Sequence, residues 1–442
     1  MLSRRALANI SRPSVLGAGA DAAAANPYSE TNRNGIVNLG RAENKLMDSE
    51  VIELLPLRAA PSHLPYGLYR GTLSLRTNIA ALFNHRLSLS PSFKLNPDQL
   101  AIANGATPLT SCAAQIVGDE GDAILSPGPV YGSFGRDVEA SSGLRFVTVN
   151  PLDNLSNSEV ISPSKRVKRN IEEYPSINQL NNALDKDPRI KALLLTNPGN
   201  PSGRIIPRDT LLAYLKWANS KNLHVIVDEV YAFSVWNLDA QNKFLSALEV
   251  GEDVIRKDLV HVIWSFSKDF CMNGQRAAVI ISRNPQFMRA YRELVYFHSI
   301  SQSLDAALTS FLSSLPRVDN FITLNHMRLR ASFTLVQRHL DSRSIPYLQP
   351  EAGICMWINL VRYLSHPSLT PSVSKKETPS LALFHHLIDN GVYIAPADAF
   401  YCDLRHDEQR GMFRVVCSLP LDVLEVGMQR LIKVLDSLEI EK

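Results

Sequence analysis

The stretch KALLLTNPGNPSGRIIPRDTLLAYLKWANSKNLHVIVDE, residues Lys191 to Glu229, sets two short apolar runs on either side of one amphipathic segment. The runs KALLLTNP and LHVIVDE are apolar without alternation, the mark of strands buried on both faces. Between them Leu211, Leu212, Leu215, Trp217 and Ala218 recur at helical spacing. Strand, helix and strand in that order predict a mostly parallel sheet with helices on both faces, an α/β fold. Two further runs, LVHVIWS (residues 259–265) and AAVIIS (277–282), extend the same sheet.

Outward from this unit the pattern changes. From Asp319 a long helix is predicted, with Ile322, Leu324, Met327, Phe333, Val336 and Leu340 among its apolar positions. GICMWINL (353–360) and GMFRVVCSL (411–419) then read as strands of a smaller domain. The polar inserts 154–176 and 365–380 have loop composition and carry no expected chemistry.

The chain has 442 residues, 45% hydrophobic and 20% charged, enough for a large core and two domains. Lys plus Arg number 46 against 43 Asp plus Glu, so bulk charge gives no reason to expect a nucleic-acid partner. The densest basic run, Lys165–Arg169, reads as a solvated loop. No membrane span is expected, because the longest uncharged stretch, 99–118, is broken by Asn104, Gly105 and Pro108. Five scattered cysteines without CxxC spacing suggest reduced thiols, no metal site and a cytoplasmic setting. The arginine-bearing amino terminus gives a mitochondrial address as the alternative. A frayed or partner-covering arm is the expected form of that segment.

Parallel sheets bind ligands at the carboxyl ends of their strands, and unusual polar residues fall there. Asn197 and Asn200 follow LLLT, Asp228 and Tyr231 follow VIV, and Ser265, Ser267 and Lys268 follow HVIW. Earlier, AIANGATPLTSCAA passes from a strand through Gly105, Ala106 and Thr107 into a helix, a plausible phosphate cradle.

In this order the segments resemble the fold-type I pyridoxal-phosphate enzymes of the class I and II aminotransferase family, from about Asn26 onward. The nearest likeness is to the 1-aminocyclopropane-1-carboxylate synthase-like branch. It is carried by NPYSETNRNGIVNLGRAENKL (26–46, around Glu43), YRGTLSLRTNIA (69–80), PGPVYGSFGRD (127–137) and SFSKDFCMNGQR (265–276). The resemblance implies a mostly parallel seven-stranded sheet sandwiched by helices, with a smaller α+β domain. It also implies an amino-terminal arm with part of the small domain in 1–60, a large cofactor domain in 61–315 and the rest of the small domain in 316–442.

It further implies pyridoxal 5′-phosphate as cofactor and a small amino-acid-type substrate. Lys268 would form the internal Schiff base and then act as general base, and Asp228 would face the ring nitrogen. Tyr231 and Asn200 would bond the phenolic oxygen, and Tyr131 would stack on the ring. Gly105, Ala106, Thr107, Ser265 and Arg276 would hold the phosphate. Tyr69 would reach the neighbouring subunit's phosphate, which implies a homodimer with shared sites. Arg414 would clamp the substrate carboxylate, with Glu43 beside it.

Two segments depart from the true synthases: residues 1–27 contain no tyrosine, and the lysine loop reads CMNGQR. Both departures count against S-adenosylmethionine as substrate, so an aminotransferase is the first expectation and a carbon–sulfur lyase, cyclopropane-forming or cleaving a cysteine conjugate, the second. By analogy with that branch, a biosynthetic role in specialised metabolism is expected.

Overall fold

The structure is a computed structural model that describes residues 2–439 except 13, 56, 88, 153–173 and 370–376. The basic run 165–169 and much of both polar inserts lie outside the described residues.

Seven strands form the main sheet: β1 (Leu100–Ala103), β2 (Ala123–Pro127), β3 (Arg145–Val149), β4 (Ile190–Thr196), β5 (His224–Asp228), β6 (Val260–Ser265) and β7 (Ala278–Ser282). Their order is β1-β7-β6-β5-β4-β2-β3. Only β7 runs antiparallel to its neighbours. Successive strand residues point to opposite faces. Accordingly Leu193, Leu195, Val225 and Val227 join one apolar core while Ala192, Leu194 and Ile226 join another on the far side. Both faces are covered, which is why these strands read as unbroken apolar runs.

A third core belongs to a smaller unit. Cys355–Asn359 and Met412–Val416 pair antiparallel, with Ala395–Pro396 on the outer edge of the latter. Val37–Asn38 pairs in parallel with Val392–Tyr393, so the amino-terminal segment completes this unit. The long helix begins at Leu315 rather than Asp319, with Pro316 in its first turn, where proline is tolerated. Val318, Phe321 and Ile322 pack into the first core; Leu329, Phe333, Val336 and Leu340 pack into the third. One apolar position of the expected helix, Met327, faces solvent. The insert expected to stay loop through Ser380 instead turns helical at Pro379, capped by Thr378.

The amino terminus also departs from the expected arm. Helices Arg4–Ile10 and Val15–Ala25 are capped by the Ser3 and Ser14 hydroxyls. They pack on their own chain. Arg5 and Asn9 donate to the carbonyls of Ser141 and Ala140, at 3.3 and 3.2 Å, and Arg12 pairs with Glu139 at 2.8 Å. Among the described residues no helix is long and apolar enough to cross a membrane.

Candidate active site

The carboxyl ends of β4, β5 and β6 open into a cavity of about 620 Å³ between the main sheet and the smaller unit. β6 ends at Ser265. Its Oγ accepts from the Ser267 N–H at 3.0 Å and caps the short helix Phe266–Asp269. Beneath that helix the buried Asp269 accepts from Phe233 N–H, Ser234 Oγ and Trp264 Nε1, at 3.0, 2.6 and 2.7 Å. The helix therefore holds Lys268 firmly at the cavity. Lys268 Nζ donates to the Ala42 carbonyl and, at 3.0 Å, to Asn273 Oδ1. Burial is the largest influence on this amine and lowers its pKa to about 8, with Arg414 adding to the effect.

One end of the cavity suits an anion. Helix Ala106–Val117 starts without a side-chain cap or an acidic residue in its first turn, so its amino-terminal N–H groups remain available. Gly105 precedes it at φ +124°, a conformation reserved for glycine. A Cβ at Gly105 would lie 2.2 Å from Arg276 Nη2. Arg276 itself adopts φ +56° and donates to the Asn273 carbonyl at 2.9 Å. Guanidinium and helix end thus share one cradle that any larger residue at 105 would fill.

The middle of the cavity holds Asp228, at the end of β5. Its carboxylate accepts from the Val230 N–H at 3.2 Å and has no ion-pair partner among the described residues. Burial pushes its pKa up to about 7, against the opposing effects of that hydrogen bond and of Lys268. Close by, the buried Tyr231 hydroxyl has the weakly bonding Cys355 thiol beside it and no stronger partner among the described residues, and Thr196 Oγ1 has none. Arg414 donates to Asn200 Oδ1 at 2.8 Å and to the Gly40 carbonyl at 2.6 Å. Its guanidinium lies 4.7 Å from the centre of the Phe400 ring, and its Nε is unpartnered.

These groups fit pyridoxal 5′-phosphate. A buried carboxylate without a cation suits a protonated ring nitrogen, a phenol with only a thiol beside it suits a ring oxygen, and the Gly105–Arg276 cradle suits a phosphate.

Glu43, Ala106, Thr107, Tyr131, Asn200, Asp228, Tyr231, Ser265, Lys268, Arg276 and Arg414 all line this one cavity, and Gly105 stands directly behind Arg276. Glu43 is held by Arg41 at 3.0 Å and faces Lys45 at 3.8 Å. Asn197 shapes the turn, donating to the Leu245 carbonyl and accepting from Ile206 N–H. Arg136 is exposed and does not line the cavity. Tyr69 does not reach its own chain's cavity. It is 39% exposed, with its ring edge-on to Tyr296 at 4.8 Å.

Contributors that were not anticipated include Asn273, Asp137, Thr196, Tyr393 and the helix Val15–Ala25. Asp137 shares the buried face of helix Phe134–Ser142 with Phe134 and Val138. Burial, with Asp228 adding its charge, raises its pKa to about 7. An acid at an inward helical position was the signal that could have found it.

Comparison with known proteins agrees with this fold. The family description "Aminotransferase class I and II" matches residues 34–431. A 1-aminocyclopropane-1-carboxylate synthase-like protein 1 from Bos taurus is 30% identical over 412 residues, covering 92% of this chain and 77% of that protein. A 1-aminocyclopropane-1-carboxylate synthase from Nicotiana tabacum is 28% identical over 418 residues, covering 90% and 79%. Aspartate aminotransferase from Thermus thermophilus with maleate superposes with a TM-score of 0.76 at 18% identity, over 98% of this chain and 99% of that one.

Proposed function

This chain belongs to the aminotransferase class I and II family, and we propose that it moves the amino group of an amino acid onto a 2-oxo acid. The family uses pyridoxal 5′-phosphate. When bound, that cofactor supplies an electron sink for the negative charge left at the substrate Cα. The protein's own residues do the rest. Arg414 binds and orients the substrate carboxylate with its remaining N–H groups. Lys268, whose pKa is lowered to about 8, is about one-tenth uncharged at pH 7 and half uncharged at pH 8, and in that form takes the Cα proton. Asp228 holds a proton at the ring nitrogen, and the Gly105–Arg276 cradle fixes the phosphate.

The observation that carries transamination is the wall contributed by residues 14–21. Ser14, Leu16, Gly17, Ala20 and Asp21 face the cavity, and none is aromatic. A sulfonium substrate bearing a purine would gain from a ring to stack upon, and this wall offers none. The alternative, carbon–sulfur lysis of the cyclopropane-forming or cysteine-conjugate type, is supported by the likeness to the tobacco synthase.

The test incubates the reconstituted enzyme with a panel of amino acids and cysteine conjugates, with and without 2-oxoglutarate. Transamination predicts product only with the acceptor present. Release of ammonia, or of a thiol, without acceptor would establish a lyase instead.

A further inference from the structure

The helix Val15–Ala25 is built into the cavity rather than laid across it. Ser14 Oγ accepts from the Gly17 N–H at 3.0 Å, and Tyr393 OH donates to the Leu16 carbonyl at 3.3 Å. The helix also presses against the Tyr393 ring, since a Cβ at Gly19 would come within 2.3 Å of it. The neighbouring helix Arg4–Ile10 is tied down through Arg5 and Asn9. The wall is therefore fixed in place before any ligand arrives.

Its inward face is ordered along the helix axis. Leu16 and Ala20 are one turn apart, as are Gly17 and Asp21, so each pair stacks on the same side. The result is a wall with an aliphatic side chain at Leu16, bare backbone at Gly17 and the Asp21 carboxylate one turn further along.

The charges around the cavity leave this carboxylate unmatched. Arg41 neutralises Glu43 at 3.0 Å. On the proposed function, Arg276 meets the cofactor phosphate, Asp228 its ring nitrogen and Arg414 the substrate carboxylate. Asp21 has no hydrogen bond or ion pair to any described residue, yet it lines the same cavity as the buried Tyr231 hydroxyl and the unpartnered, buried Arg414 Nε.

We infer that the substrates are amino acids with a straight aliphatic side chain ending in a cation, and that Asp21 is the residue that selects them. The aliphatic stem runs past Leu16, Gly17 and Ala20, and the terminal amine meets the Asp21 carboxylate. This inference rests on the proposed function for the placing of the α-carboxylate at Arg414. Because Asp21 is exposed, its contribution is that of a partly screened ion pair, about two- to fivefold in affinity at low salt.

The test titrates the reconstituted protein with L-lysine, L-ornithine and L-norleucine, reading the visible band of the bound cofactor and, in parallel, calorimetry. L-Lysine is expected to bind about two- to fivefold more tightly than L-norleucine at low salt. In Asp21→Asn that ratio is expected to fall to about one, and in Asp21→Lys to drop below one. Leu16→Phe, which adds bulk to the cavity wall without touching the charge, is expected to weaken both ligands together. Equal affinities in the wild type, or a lysine preference that survives both Asp21 variants, would overturn the inference. A protein that shows no cofactor band would instead defeat the proposed function, and calorimetry would still decide the role of Asp21.

Discussion

Gly105 shows how one residue ties backbone geometry to ligand chemistry. Its φ of +124° belongs to a region that side chains rarely enter, and the space where a Cβ would stand is taken by Arg276. Gly105→Ala is therefore expected to weaken pyridoxal 5′-phosphate binding at least about tenfold and to cost about 1–3 kcal/mol of stability. Absorbance titration and urea unfolding measure the two effects, and an unchanged affinity would show the cradle to be misassigned. Lys268 supports a second expectation. Its pKa is lowered to about 8, and only the uncharged amine can attack an aldehyde, so attachment of the cofactor to the apoprotein should speed up through pH 8 and level off above it. A rate that climbs only near pH 10 would mean an unperturbed lysine. Lys268 and Asp228 stood out in the sequence because each follows an apolar strand where a charge is costly, whereas Arg414 came from the family resemblance alone. Asp137 did not, since its acid is hidden within a short helix with only four buried residues.

Among the elements, β5 and β6 carry chemistry at one end and a structural device at the other. At the amino ends, His224 Nδ1 and His261 Nε2 are 2.9 Å apart, and His261 Nδ1 lies 2.8 Å from Ser282 Oγ. His261 is fully buried and stacks on Phe287 at 3.9 Å. Burial lowers both histidine pKa values below 6.5, and His261 the more strongly. A lowered folded-state pKa means that acid favours the unfolded chain. Stability from this pair is complete above about pH 6.5 and is lost as the pH falls below it. The urea midpoint is expected to drop between pH 7 and pH 5.5, and His224→Gln combined with His261→Gln should flatten that drop. An identical slope in the double variant would exclude the pair as its source.

The same strands explain why the main sheet could be read from sequence. Residues that are buried on both faces leave long apolar runs, as at Leu193–Leu195 and Val225–Val227. The pairing of Val37–Asn38 with Val392–Tyr393 left no such trace, because two residues per strand carry no period. The small-residue helix Val15–Ala25 was equally silent, because its partner, Tyr393, lies far along the chain.

At the scale of the whole molecule, the site lies where the cores of the two units meet, with the helix Leu315–Asp341 packed into both. One surface remains to be accounted for. Leu64, Tyr66, Leu68, Tyr69, Leu73, Tyr296 and Phe297 are all exposed, from 39% at Tyr69 to 95% at Tyr66. A patch of that composition suits a second protein surface, and a homodimer in which Tyr69 reaches the partner's phosphate is the reading proposed here. It predicts that Tyr69→Ala and Lys268→Ala, each impaired alone, recover about a quarter of wild-type activity when unfolded together and reassociated. Mixtures that stay as weak as their components would argue for self-contained sites.

Lys268 is the amine on which the whole site depends. The most direct measurement is to incubate the purified protein with pyridoxal 5′-phosphate, reduce it with borohydride and map the modified peptides by mass spectrometry. The structure predicts one stoichiometric adduct, on Lys268 within SFSKDF. No adduct there, or modification spread over surface lysines at equal yield, would contradict the assignment of this cavity as a pyridoxal-phosphate site.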